Sequence, residues 1–180
     1  CRGHGITNEA LAQIAGLTEI VEIELVHTKL NDSAIDHLLR MTGLTSLNVS
    51  HSDVADEGVE KLTVFTEMTS LDLQSTNVTN QGMVAVSKLR QLRQLSLAGT
   101  AVTDPGLSPL TGLRNLQRLD LTAGQFRDQG MEHLAVWSNA ADGYAAHPDP
   151  MVATLPADDA GARGVSTGTV IGDHHLQIGR

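Results

Sequence analysis

An internal disulfide is excluded at the outset: the sequence holds one cysteine, Cys1, so no bridge can close within the chain and the redox compartment stays open. Aromatic residues are nearly missing, at 2%. A densely packed core must therefore be assembled from Leu, Val, Ile and Met. No apolar run approaches the roughly 20 residues that span a bilayer, and no charged segment followed by an apolar one marks a secretory leader. Positive charge is scarce as well, with 12 basic against 21 acidic side chains and a net charge of −9. That balance disfavours general nucleic-acid binding, which relies on cations that replace phosphate counterions.

Leucine, by contrast, is abundant and regularly placed. One apolar column runs Ile23, Leu47, Leu71, Leu95, Leu119, a spacing of 24 throughout. Others keep the same step: Leu25, Val49, Leu73, Leu97, Leu121; Ile20, Leu44, Met68, Leu92, Leu116; Leu30, Val54, Val78, Val102, Phe126. Ile35, Leu38 and Met41 head three more. Seven columns in register over five repeats imply a solenoid, in which each repeat buries its apolar side against its neighbours. Ile6, Leu11, Ile14 and Leu17 match Leu30, Ile35, Leu38 and Met41, so the register runs back almost to residue 1. The chain thus reads as starting inside a repeat, with processing at Cys1 as the alternative.

The segments LRQLSLAGT at 92–100 and LQRLDLTAG at 116–124 resemble the leucine-rich repeat. The stretch VTDPGL at 102–107 is similar to the bacterial type with a VTDxGL link. This resemblance covers about residues 5 to 138. It implies an α/β fold: a right-handed leucine-rich-repeat solenoid, a horseshoe segment with a parallel sheet on the concave side and short helices outside. Such repeats serve many partners, so the fold alone does not name a function.

In physical terms each LxxLxL is a short strand whose leucines point inward at period two. Asn8, Asp32, Asp56, Asn80, Asp104 and Asp128 recur at the helix starts and read as N-caps. Pro105 suits the first helical turn, and Pro109 predicts a helix that is short or partly 3-10. Gly16 and Gly112 read as left-handed residues near helix ends. Thr28, Ser52, Thr76 and Thr100 hold the position that the resemblance assigns to asparagine, and their hydroxyls are expected to donate to a carbonyl of the neighbouring turn. Nothing pairs them with a base, so a nucleophilic role does not follow.

Function is expected where the repeat does not dictate identity. The outward strand columns read Glu22, Ser46, Ser70, Gln94, Arg118 and Glu24, Asn48, Asp72, Ser96, Asp120, with Val26, Ser50, Gln74, Ala98 and Thr122 at the strand ends. Of these, Glu22, Glu24, Ser46, Asn48, Ser70, Asp72, Gln74, Gln94, Ser96, Arg118 and Asp120, together with Arg93, are the candidate partner-binding residues. Charge is polarised: residues 1–73 carry a net −8, residues 74–138 a net +2. A partner of opposite polarity would be steered by such a surface. His27 and His51 occupy equivalent positions on adjacent turns, too few ligands for a metal site.

After Trp137 the period fails. Residues 139–164 are rich in Ala, Gly, Asp and Pro and are expected to form a disordered linker. Residues 165–180 suggest a hairpin, with Val170-Ile171 and Leu176-Ile178 about Gly172-Asp173. The histidines and aspartates of this tail (His147, Asp149, Asp173, His174, His175) show no metal-ligand spacing, and a hydrolase built on them is the weakest reading. Residues 1–138 form the expected solenoid. The functional expectation is a non-enzymatic module that binds a protein through the concave face and its rims, without cofactor or metal. The alternative is the recognition arm of a larger enzyme or signalling protein whose catalytic domain lies outside this chain. Uncapped stack ends also imply end-to-end self-association.

Overall fold

Each repeat begins with a strand of three residues, one inward Leu or Ile between two polar neighbours: β1 Glu22–Glu24, β2 Ser46–Asn48, β3 Ser70–Asp72, β4 Gln94–Ser96 and β5 Arg118–Asp120. The computed structural model describes residues 6–126, 130, 151–154 and 169–171. Adjacent strands pair in parallel, and every partner lies 24 positions away: Ile23 faces Leu47, then Leu71, Leu95 and Leu119. The ladder outruns the formal strands, with Leu25 N–H donating to Asn48 O at 2.7 Å and His27 N–H to Ser50 O at 3.0 Å. The sequence period is therefore the sheet register.

The return path is helical and short: α1 Asn8–Ile14, α2 Asp32–Leu38, α3 Asp56–Lys61, α4 Asn80–Val86 and α5 Asp104–Leu107. As Pro109 predicts, α5 has four residues and passes into a 3-10 turn at Ser108–Gly112. The apolar columns from both sides meet in one core, where Leu30, Leu38, Met41, Leu44, Val54, Phe65, Leu73 and Leu97 are fully buried. Among the described residues Ile6, Ile14, Ile20 and Phe126 are partly buried at the margins of this core, and Leu17 is 55% exposed at the position where Met41, Phe65, Leu89 and Leu113 are buried.

Several local expectations are corrected. Asn8, Asp32, Asp56, Asn80 and Asp104 are the first residues of their helices, and the N-caps are Thr7, Asn31, Ala55, Thr79 and Thr103; Asp128 lies outside the described residues. The side chains of the first helical residues instead cross to the next repeat. Asp32 Oδ1 accepts from Ala55 N–H at 2.7 Å, Asp56 Oδ1 from Thr79 N–H at 2.8 Å and Gly82 N–H at 2.9 Å, and Asn80 Oδ1 from Thr103 N–H at 2.8 Å. A polar ladder thus ties each helix start to the one before it. Glycines stand where these side chains arrive: a Cβ would lie 2.5 Å from Asp32 Oδ1 at Gly58, 2.6 Å from Asp56 Oδ1 at Gly82 and 2.5 Å from Asp104 Oδ1 at Gly130. The Asp and Gly of the link are therefore partners between repeats, not within one.

The hydroxyl column also turns inward on its own repeat. Thr28, Ser52, Thr76 and Thr100 donate to Leu25, Val49, Leu73 and Leu97 carbonyls, three residues back, at 2.6–2.8 Å. Neither Gly16 nor Gly112 is left-handed. The left-handed position lies after the strand, at His27, His51, Ser75, Gly99 and Ala123, all with φ between 52° and 63°.

The sheet continues beyond the fifth repeat. β6 (Met151–Thr154) pairs in parallel with β5, and β7 (Thr169–Ile171) pairs antiparallel with β6, giving seven strands in chain order among the described residues. The expected linker over 139–164 therefore does not hold at 151–154. Arg118 faces Val152, a step of 34 rather than 24, so the strand fell out of the repeat count, and the segment's overall composition masked a short β-forming run. The Val170-Ile171 arm of the expected hairpin is a strand, but its partner is β6; Leu176-Ile178 lie outside the described residues.

Candidate sheet-face binding site

The parallel register stacks the two outward columns as the alternation predicts. Glu22, Ser46, Ser70, Gln94 and Arg118 form one row, and Glu24, Asn48, Asp72, Ser96 and Asp120 the next. Glu22, Glu24, Gln94 and Arg118 are exposed, as is Arg93 just before β4; the remaining candidates are half-buried. At the strand ends the expectation fails in part. Ser50 and Ala98 are buried at 3% and 5% exposure, which leaves Val26, Gln74 and Thr122 half-buried in that row.

Six of the candidates converge. Ser70, Asp72, Gln94, Ser96, Arg118 and Asp120 line a shallow groove of about 250 Å3 across β3, β4 and β5, floored by Leu71, Leu95 and Leu119. Glu22, Glu24, Ser46, Asn48, Gln74 and Arg93 lie outside it. Within the second row, side-chain oxygens fold back onto the backbone: Asn48, Asp72 and Asp120 accept the N–H two residues ahead, from Ser50, Gln74 and Thr122, each at 2.9 Å. Such turns fix the carboxylates before any partner arrives. Asn48 Nδ2 also donates to Asp72 Oδ2 at 3.1 Å, linking neighbouring strands. Sequence alternation identifies these residues as outward but does not reveal that they also cap the strand ends.

The histidine pair lies beyond the strand ends. The rings of His27 and His51 stack with centroids 4.1 Å apart and planes 15° from parallel, because both residues occupy the left-handed position of consecutive repeats. Among the described residues no group of three or more His, Cys, Asp or Glu side chains is placed to hold a metal ion. The tail histidines lie outside the described residues. Among those described, no helix is long and apolar enough to cross a membrane.

Three stretches, residues 41–62, 66–87 and 88–110, match the leucine-rich-repeat family model. No curated protein matches the chain. Among solved structures it is similar to internalin C2 from Listeria monocytogenes, at 25% identity and a TM-score of 0.60 over 71% of this chain and 52% of that one. It is also similar to the actin-binding site 2 structure of leiomodin-1, at 13% identity and a TM-score of 0.55 over 73% of this chain and 88% of that one. The latter likeness concerns fold alone. The chain spans about half the length of the internalin it matches.

Proposed function

We propose that this leucine-rich-repeat solenoid is a non-catalytic module that binds a protein through its concave sheet face and rims. The observation that carries the reading is the continuity of that face. Its outward residues are polar, run in unbroken rows across β1 to β5 and include exposed charges on which the core makes no demand. A standard interface engages roughly 20–30 residues a side, an extent that the strand rows and their flanking turns can supply. The likeness to an internalin supports a bacterial repeat type, and we read the 24-residue repeats with their VTDxGL link in that sense. Serving as the recognition arm of a larger enzyme or signalling protein is the second reading, and it places binding on the same face.

The test compares proteins captured from the source organism by the native chain, by a sheet-face variant (Gln94→Lys with Arg118→Glu) and by a helix-face control (Glu60→Lys with Val84→Lys). Glu60 and Val84 are both exposed on the helical side. Capture lost in the sheet-face variant and retained in the control is the expected result. Unchanged capture by the sheet-face variant removes the assignment.

A further inference from the structure

After β2, β3 and β5 a side-chain oxygen accepts the N–H two residues ahead, and at Asn48 that acceptor is a neutral amide. Asp72 and Asp120 make the same 2.9 Å bond with a carboxylate. Their negative charge is therefore more than the backbone requires, and both charges line the groove. Between them in register lies Ser96, whose Oγ is shielded from solvent and has no hydrogen-bond partner. A buried polar atom left unpaired is costly, and a bound donor would remove that cost.

Strands about 4.8 Å apart put the two aspartates roughly 10 Å from each other across Ser96. A guanidinium or ammonium group entering between them would meet a carboxylate on each side and the serine hydroxyl beneath. The other wall of the groove is of opposite sign. Arg118 is exposed two residues before Asp120 on the same strand face, about 6.6 Å along it. In an extended polypeptide, residues i and i+2 share one face at that same spacing.

From this bipolar spacing we infer that the groove seats an extended segment of the partner, with a Lys or Arg on Asp72, Ser96 and Asp120 and an acidic side chain two residues away on Arg118. The inference rests on the sheet-face reading and adds the chemistry of the occupant. Charge complementarity selects a zwitterionic pair of side chains over a simple cation, which Arg118 would repel, and over a simple anion, which the aspartates would repel.

The experiment is a titration of the 15N-labelled chain with blocked tripeptides, followed by amide shifts. Acetyl-Arg-Ala-Glu amide is expected to give saturable shifts at Gln74, Ser96, Ala98 and Thr122. The double variant Asp72→Asn with Asp120→Asn retains both turn acceptors, as Asn48 does, and is expected to stay folded and bind about ten-fold more weakly, since each exposed ion pair contributes only a few-fold. Acetyl-Glu-Ala-Glu amide is expected to leave these amides unmoved. Equal binding by the double variant, equal shifts with the acidic peptide, or no saturable shift at millimolar peptide each overturns the inference. Equal binding of acetyl-Arg-Ala-Arg amide overturns the role of Arg118. Should the double variant still capture partners that the Gln94→Lys/Arg118→Glu variant loses, the basic anchor fails and the sheet-face reading stands.

Discussion

Replacing Gly82 with alanine sets two local effects against each other. Gly82 lies in α4 without a left-handed backbone, so alanine's helix preference alone would stabilise the chain by about 1 kcal/mol. The new Cβ, however, would lie 2.6 Å from Asp56 Oδ1. That oxygen accepts from Thr79 N–H at 2.8 Å and Gly82 N–H at 2.9 Å, while Oδ2 accepts from Thr79 Oγ1 at 2.6 Å. The carboxylate cannot retreat without losing at least one bond to a charged acceptor, which contributes about 1.5–3 kcal/mol. The clash wins, and Gly82→Ala is expected to destabilise by about 1–2 kcal/mol. In an Asp56→Ala background the obstructing oxygen is gone and the next nearest atom, Val78 Cγ1, lies 3.0 Å from the methyl. There the same substitution is expected to be near neutral, a coupling of about 1.5 kcal/mol in a double-mutant cycle from urea unfolding. The molecule contains a parallel case: at the first interface the glycine position is Ala34, and the Oδ1 of the preceding Asn8 is buried with no partner. An equal cost of Gly82→Ala in both backgrounds would refute the inter-repeat ladder as the reason for glycine.

Other expectations follow from the same contacts. Thr76→Val removes the 2.7 Å bond to Leu73 O in a buried setting, and urea unfolding should show a loss of about 1–2 kcal/mol. His51→Gly should be neutral or stabilising by up to about 1 kcal/mol, because the residue is held at φ 56°. Gly99→Val, at φ 63° in the equivalent place, should lower the melting temperature, since a β-branched side chain resists that conformation. The Asp36 hydrogen bond raises the Lys61 pKa above its usual 10.5, so this pair's contribution is fully present below the unfolded value and lost as pH climbs through the higher folded one. Asp36→Asn should therefore cost under about 1 kcal/mol at pH 7 for so exposed a pair, and the gap to the native chain should close across alkaline pH.

The solenoid was legible because one period sets both burial and register. Leu47, Leu71 and Leu95 had to be inward and adjacent once the 24-residue step was seen, and the structure places them so. What the step does not encode is which neighbour a polar side chain chooses. Asp56 reads as a cap in the sequence, yet it is the first residue inside its helix and its oxygens bind Thr79 and Gly82 of the following repeat. The threonine column went the other way, binding its own turn where a bond to the next was expected. Likewise the outward rows could be read from alternation, but the convergence of Asp72, Ser96, Arg118 and Asp120 in one groove depends on three strands lying side by side. β6 was missed because it joins the sheet ten residues out of step.

The central claim, that a protein partner docks on the sheet face, is tested most directly by photo-crosslinking. A benzophenone side chain placed at Ser46 or Gln94 on the sheet, or at Glu60 or Val84 on the helical side, samples the two faces of the solenoid. Irradiation in extracts of the source organism should give a common partner adduct from Ser46 and Gln94 and none from Glu60 or Val84. Adducts confined to the helical positions would contradict the account.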